Sequence, residues 1–129
     1  MSSELFNETS GEKDKVTFGV SSPGQDVLDA LMRMKYFKSE LGAFQAAASL
    51  AIGLDLPARE VTAANGTKWN RGSVNPQMLT FLEWYLATST PVRQLERLGN
   101  VGLAHITDKV ATGGYALSEL FQLPRDLDG

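Results

Sequence analysis

The feature that most limits how this chain can fold is the stretch 41–54, in which only Gln45 and Ser49 are polar. The stretch is rich in alanine and leucine and contains no proline, which favours an α-helix. Ser39, just before it, is a typical N-cap. We therefore predict a helix over residues 40–54. A helix that is apolar almost all round needs neighbours on several sides, so it forms either the centre of a monomer core or part of a dimer interface.

Length and composition fit one globular domain. The chain has 129 residues, of which 43% are hydrophobic and 21% charged, and this balance excludes a wholly disordered chain. It contains no cysteine, which excludes disulfides and thiolate chemistry and favours the cytoplasm. The first residues are polar and acidic, unlike a signal peptide, and no apolar run is long enough to cross a membrane.

Charge is unevenly distributed along the chain. The formal net charge is −3, and this excess falls in residues 1–14, which we expect to be a flexible acidic tail. Residues 15–129 carry equal numbers of acidic and basic side chains. A neutral body binds nucleic acid only if its cations gather on one face.

The folded part is expected to begin with a strand and a helix. Residues 15–20 alternate in the manner of a half-buried strand, which places three apolar side chains on one face: Val16, Phe18 and Val20. Ser22 is then a candidate N-cap for the first helix, with Pro23 at its first position. This helix should end near residues 36–37, before the apolar helix over 40–54.

Proline and glycine punctuate the rest of the chain and predict a helical extension over residues 55–123. Residues 60–63 and 67–70 would pair as a short hairpin around Asn65-Gly66. Asn75-Pro76 begins a third helix, and Thr90-Pro91 begins a fourth that ends at Gly113-Gly114. A last short helix covers 115–121, and 124–129 form a second tail. The predicted fold class is mainly α, with an N-terminal strand-helix-helix over residues 15–54.

Few residues in this sequence could carry catalysis. His105 is the only histidine and there is no cysteine, so catalytic arrangements built on Cys-His or on paired histidines are absent. Asp26 and Asp29 lie three apart on the first helix, a spacing more typical of a solvated face than of a metal site. Gly99 and Gly102 follow no strand, so they are not a dinucleotide fingerprint and instead allow another backbone to approach the fourth helix. We expect a non-enzymatic protein with no catalytic residue, metal or cofactor.

The turn Phe37-Lys38-Ser39-Glu40-Leu41, with the strand and helix before it, resembles the ribbon-helix-helix family of DNA-binding regulators. The resemblance covers residues 15–54 and departs from the family pattern at Phe37, a position that is usually polar. It implies a homodimer whose two strands pair into a ribbon that enters the major groove of double-stranded DNA.

The same resemblance implies specific contacts with DNA. Lys15, Thr17 and Gly19 would face the bases, although Gly19 has no side chain to read them with. Lys38 and Ser39 would hold a phosphate at the start of the second helix. The alternative is that Lys15 is a solvated edge residue and Ser39 only a helix cap.

A second candidate patch lies in residues 65–72. It places Trp69 between the cations Lys68 and Arg71, a composition that suits phosphate contact and base stacking. The alternative, which we favour, is a hairpin in which Trp69 fills the core while the two cations remain in water.

A further resemblance covers the rest of the chain. An alanine-rich helix ending in glycine precedes a Gly-x-x-Trp segment and a helical tail closed by a glycine pair; the residues are Ala46-Ala47-Ala48, Gly53, Gly66-Thr67-Lys68-Trp69, Leu98-Gly99 and Gly113-Gly114. This pattern is similar to that of small accessory proteins of the Dnd DNA phosphorothioation systems. It implies a bacterial protein that serves DNA modification or antiviral defence, with no catalytic residue on this chain.

Two functional hypotheses follow. The first is a cytoplasmic, dimeric DNA-binding protein, acting in transcription regulation or as an accessory factor of DNA modification. The second is an adaptor subunit that docks onto a larger complex through an apolar helical face. The adjacent pair Trp84 and Tyr85 motivates the second hypothesis, because aromatic anchors dominate the energetics of protein interfaces.

Overall fold

The computed structural model describes residues 13–60 and 67–113. The described part is mainly helical, with a small two-stranded antiparallel sheet, so the predicted fold class is confirmed. In chain order its elements are β1 (Thr17–Phe18), α1 (Ser22–Arg33), α2 (Glu40–Gly53), β2 (Trp69–Asn70), a 3-10 turn (Arg71–Ser73), α3 (Pro76–Tyr85) and α4 (Pro91–Gly113). The predicted tail over 1–12, the turn at 65–66, the helix over 115–121 and the tail over 124–129 lie outside the described residues.

The helix α1 begins and ends earlier than the sequence predicted. Its N-cap is Ser21 rather than Ser22, because the Ser21 hydroxyl accepts a hydrogen bond from the backbone N–H of Gly24 at 3.1 Å. The backbone N–H of Ser21 itself donates to Asn100 of α4 at 2.8 Å, a contact that local sequence does not reveal. At the other end Lys35 has a φ of 63°, so the helix stops at Arg33 and not near residues 36–37.

The other predicted helix starts are confirmed. The Ser39 hydroxyl caps α2 by accepting from the N–H of Gly42 at 3.0 Å, and Asn75 caps α3 by accepting from the N–H of Gln77 at 2.8 Å. The helix α4 begins at Pro91, as predicted. These starts were predictable because each cap lies within a few residues of the groups that it serves.

The first N–H groups of α4 are bound by a residue far away in sequence. The two carboxylate oxygens of Asp14 accept from the backbone N–H groups of Val92 and Arg93, each at 3.0 Å. A carboxylate at this position is favoured by the positive end of the helix dipole. The sequence had placed Asp14 in the flexible tail, and that boundary was wrong, because Asp14 is fixed to the fold.

The core is centred on α2 and α4, which cross in close contact. Phe44 and Ala47 of α2 are fully buried. They lie against Gly99 and Gly102 of α4, where an added Cβ would meet the Phe44 ring at 2.2 Å and the Ala47 carbonyl oxygen at 2.0 Å. The predicted approach of another backbone is therefore confirmed at Gly102, whereas Gly99 makes room for a side chain. Of the two alternatives for the apolar helix, the centre of a monomer core accounts for its burial.

Side chains along α4 complete this core. Four apolar side chains at helical spacing along α4 are buried, namely Val92, Leu95, Leu98 and Ile106. Leu79 and Leu82 of α3 are also buried, and α3 contacts α4.

The strand β1 pairs with β2 of the same chain. The pairing is antiparallel, with Thr17 opposite Asn70 and Phe18 opposite Trp69. The sequence led us to expect a second copy of β1 as the partner, whereas Trp69 anchors β2 by packing on the buried Phe18 ring at 5.4 Å. Alternation predicts a strand, but it does not specify which strand lies beside it.

The apolar face of β1 and the pairing of the strand over 69–70 differ in part from the prediction. Phe18 and Val20 are buried as predicted, but Val16 is 69% exposed, so the predicted apolar face is not covered at Val16. The strand over 69–70 is present, and its partner is β1. The partner that the sequence suggested, residues 60–63, lies largely outside the described residues.

Candidate functional site

The candidate DNA contacts on β1 are directed into their own chain. The Lys15 ammonium lies 2.6 Å from one carboxylate oxygen of Glu96, and the backbone N–H of Gly19 donates to the other at 2.8 Å. The Glu96 side chain is only 10% exposed. Thr17 accepts a hydrogen bond from the Thr67 hydroxyl at 3.1 Å. Lys15 and Gly19 thus serve the contact between β1 and α4, and the predicted outward-facing set is not formed.

The second candidate patch is also engaged within the chain. Lys68 lies 3.1 Å from a Glu40 carboxylate oxygen and 5.5 Å from the centre of the Trp69 ring. Arg71 lies 2.6 Å from Asp14. Trp69 packs on the buried aromatic rings of β1 and α2, so it fills the core as in the alternative that we favoured. Its two neighbouring cations, however, are ion-paired and not simply solvated.

Two of the seven candidate DNA contacts lie in an exposed turn. Lys38 and Ser39 are both exposed, and Ser39 also caps α2. Arg33 and Lys35, in the same turn, are exposed as well. No acidic residue occurs over residues 30–39. We call Arg33, Lys35 and Lys38 the basic turn. These residues lie at the end of α1 and in the segment that joins it to α2, and none of them belongs to β1.

The most unusual surface of the described structure is on α3. Trp84 is 76% exposed, Tyr85 49% and Phe81 40%. The exposure of Trp84 is high for a tryptophan, which is usually largely buried. Phe81 stacks on Tyr85 with ring centres 5.3 Å apart and lies 6.3 Å from Trp84. We call these three residues the aromatic face. Its rings contact one another instead of the core.

The position of the aromatic face follows from the helix period. Phe81, Trp84 and Tyr85 are separated by three and four residues, so they lie on one side of α3. Leu79 and Leu82 on the other side are buried against the core. The helix is therefore apolar on both sides, and only one of them is covered by the described residues.

Two open grooves flank the aromatic face. One, of about 440 Å³, is lined by Phe81 and Trp84 together with Pro76, Gln77 and Thr80. The other, of about 370 Å³, shares Pro76 and Thr80 with the first and extends to Arg71. A ridge formed by Pro76 and Thr80 thus separates an aromatic groove from one that ends at an arginine.

Sequence reasoning identified only part of this site. The sequence singled out the pair Trp84 and Tyr85 but not Phe81. The signal was available, since Phe81 lies one helical turn before both residues. What the sequence lacked was any sign that Leu79 and Leu82, rather than the aromatic residues, cover the core.

A third cavity is a weaker candidate for a binding site. It has a volume of about 350 Å³ and is lined by residues that include Ser21, Arg59 and Asn100. The side chains of Ser21 and Asn100 already make hydrogen bonds within the chain. Over residues 13–60 and 67–109, no group of three or more His, Asp or Glu side chains is placed to hold a metal ion. Among the described helices none is long and apolar enough to cross a membrane.

No protein-family model, curated protein or solved structure matches this chain.

Proposed function

We propose that this protein is a non-catalytic docking subunit that binds a partner protein through the aromatic face of α3. The observation that carries the proposal is the exposure of three neighbouring aromatic rings, with Trp84 exposed to 76%. Clustered exposed aromatic residues mark interaction sites on soluble proteins, and tryptophan and tyrosine are enriched among the residues that dominate binding energy. We also propose the cytoplasm as its compartment, on the absence of cysteine.

The size of the surface favours a short segment as the partner. At 150–250 Å² for each side chain, the exposed fractions of the three rings amount to roughly 250–400 Å². A stable interface between two globular proteins buries about 800 Å² on each side. A partner that inserts one or two apolar side chains into the groove between Trp84 and Pro76 would match the smaller area. We expect a dissociation constant in the micromolar range, roughly −8 kcal/mol.

Selection from a library of displayed peptides tests this proposal. The wild-type chain should enrich peptides that contain apolar residues. These peptides should not bind the Trp84→Ala variant. Tyr36→Ala is the control, because Tyr36 is also an exposed aromatic residue, at 45%, and lies outside the aromatic face. The control should keep the binding. Peptides that bind Trp84→Ala as well as wild type, or no enrichment at all, would contradict the proposal.

A second candidate function is DNA binding through the basic turn. Its support is the cluster of three exposed cations, Arg33, Lys35 and Lys38, next to the start of α2, where a phosphate is favoured by free N–H groups and by the helix dipole. It retains Lys38 and Ser39 of the original set. Lys15, Lys68 and Arg71 are paired with carboxylates of the chain itself and do not support it.

Fluorescence anisotropy with a labelled DNA duplex at two salt concentrations tests this second candidate. Binding should weaken steeply as salt is raised, and Lys38→Glu should abolish it. The control Lys109→Glu, a change of the same charge at the other end of the described chain, should leave most of the affinity. Undetectable or salt-independent binding would rule out DNA binding as the second function.

The predicted homodimer and the predicted roles in regulation or defence stay predictions. Light scattering tests whether the chain forms a homodimer.

A further inference from the structure

The described chain begins beside the grooves of α3. Asp14 is held by Arg71 at 2.6 Å and by the start of α4, and the Lys13 carbonyl accepts a hydrogen bond from the Arg93 guanidinium at 3.1 Å. Arg71 also lines the smaller groove, which shares the ridge of Pro76 and Thr80 with the aromatic groove. Lys13, the first described residue, is therefore joined to the fold beside these grooves.

The segment before Lys13 is long enough to reach the aromatic face. Phe6 precedes Lys13 by seven residues, which span at most about 23 Å when extended. The helix α3 has ten residues and is therefore about 15 Å long. The extended segment is thus longer than α3, along which both grooves lie, and we expect Leu5 and Phe6 to reach the groove between Trp84 and Pro76.

The composition of residues 1–12 suits this surface. Leu5 and Phe6 form an adjacent apolar pair, flanked by Glu4 and Glu8. An adjacent pair of this kind matches the roughly 250–400 Å² that the three rings expose, an area too small for a second globular protein.

We propose that Leu5 and Phe6 bind the aromatic face of their own molecule and compete with the partner protein for it. This inference rests on the proposed docking function and adds its regulation. A short flexible tether holds its ligand at an effective concentration in the millimolar range. If the segment alone binds with a millimolar dissociation constant, it covers the face for half of the time or more. It then weakens partner binding by a factor of about 2 to 10.

The first test uses the chain alone, without a partner protein. It measures whether the aromatic face is covered. Acrylamide quenching of Trp84 fluorescence is compared between wild type and the full-length double variant Leu5→Ser/Phe6→Ser. The Trp84→Phe chain supplies the signal of Trp69 for subtraction. We expect the quenching constant of Trp84 to rise about twofold in the double variant. Equal quenching in the two chains would overturn the inference.

The second test separates this inference from the docking function. Peptides selected on the wild-type chain are titrated against the double variant and against the control Asn7→Ala/Thr9→Ala, which alters polar residues of the same stretch. Affinity should rise about 2- to 10-fold in the double variant and stay constant in the control. Equal affinity for wild type and the double variant would refute the competition while leaving docking intact. Absence of any peptide that depends on Trp84, in both chains, would refute docking itself.

Discussion

Replacing Gly102 with alanine should destabilise the protein, because this glycine lets the backbones of α2 and α4 touch. A Cβ at Gly102 would lie 2.0 Å from the Ala47 carbonyl oxygen, whereas ordinary contact begins at about 3.4 Å. The helices would have to move apart locally by more than about 1 Å. The obstructing atoms belong to the backbone, so no side-chain rotation relieves the clash.

The magnitude follows from two opposing effects. Alanine is favoured over glycine within a helix by about 1 kcal/mol. Overpacking of a tight core costs about 1–3 kcal/mol and occasionally more, and a backbone contact belongs at the upper end of that range. We expect a net loss of about 2 kcal/mol in the free energy of unfolding, or a fall of roughly 1 M in the urea midpoint for a domain of this size.

Urea unfolding followed by circular dichroism provides the assay, with two matched variants. Gly53→Ala places its Cβ where no atom lies within 4 Å and should leave stability unchanged or raise it by up to about 0.5 kcal/mol. Gly99→Ala meets only the Phe44 ring, which can shift, so its loss should be intermediate. A Gly102→Ala chain as stable as wild type, with the same denaturant dependence, would refute the proposed helix packing.

Three further substitutions test the contacts that hold β1 and the chain before it against α4. Asn100→Ala removes a buried side chain that makes three hydrogen bonds and should lower the free energy of unfolding by about 2–3 kcal/mol in urea titrations; a loss below about 0.5 kcal/mol would contradict this. Glu96→Gln should cost about 1–2 kcal/mol by weakening the ion pair with Lys15, and the added change Lys15→Met should recover part of it in a double-mutant cycle. Asp14→Ala should lower the thermal midpoint through a loss of about 1–2 kcal/mol, whereas the exposed control Asp26→Ala stays within about 0.5 kcal/mol.

Features set by local chemistry were predictable from the sequence. Ser39 and Asn75 cap helices because their side chains reach N–H groups two or three residues away. The apolar stretch after Ser39 requires a helix with neighbours on several sides, and α2 lies at the centre of the core. The close approach at Gly102 was predictable for a similar reason, since glycine in a helix without a turn or cap indicates a nearby backbone.

Features set by contacts between distant residues were not predictable. The strand β1 could pair with its own copy or with β2, and the choice depends on how Trp69 packs on Phe18. Lys15 was a reasonable DNA contact until its partner was known, because Glu96 lies 81 residues away. The exposure of Phe81 depends in the same way on which side of α3 meets the core. A pattern within one element does not determine its partner.

The most direct test of the docking function is the affinity of one selected peptide for three chains, measured by fluorescence anisotropy. Wild type and Tyr36→Ala should bind it with dissociation constants within about twofold of each other, whereas Trp84→Ala should bind at least about tenfold more weakly, as expected for loss of a central aromatic anchor. All three chains should unfold at the same urea concentration, since Trp84 is largely exposed. Equal peptide affinity in Trp84→Ala and wild type would contradict the account, because the aromatic face would then not be the docking surface.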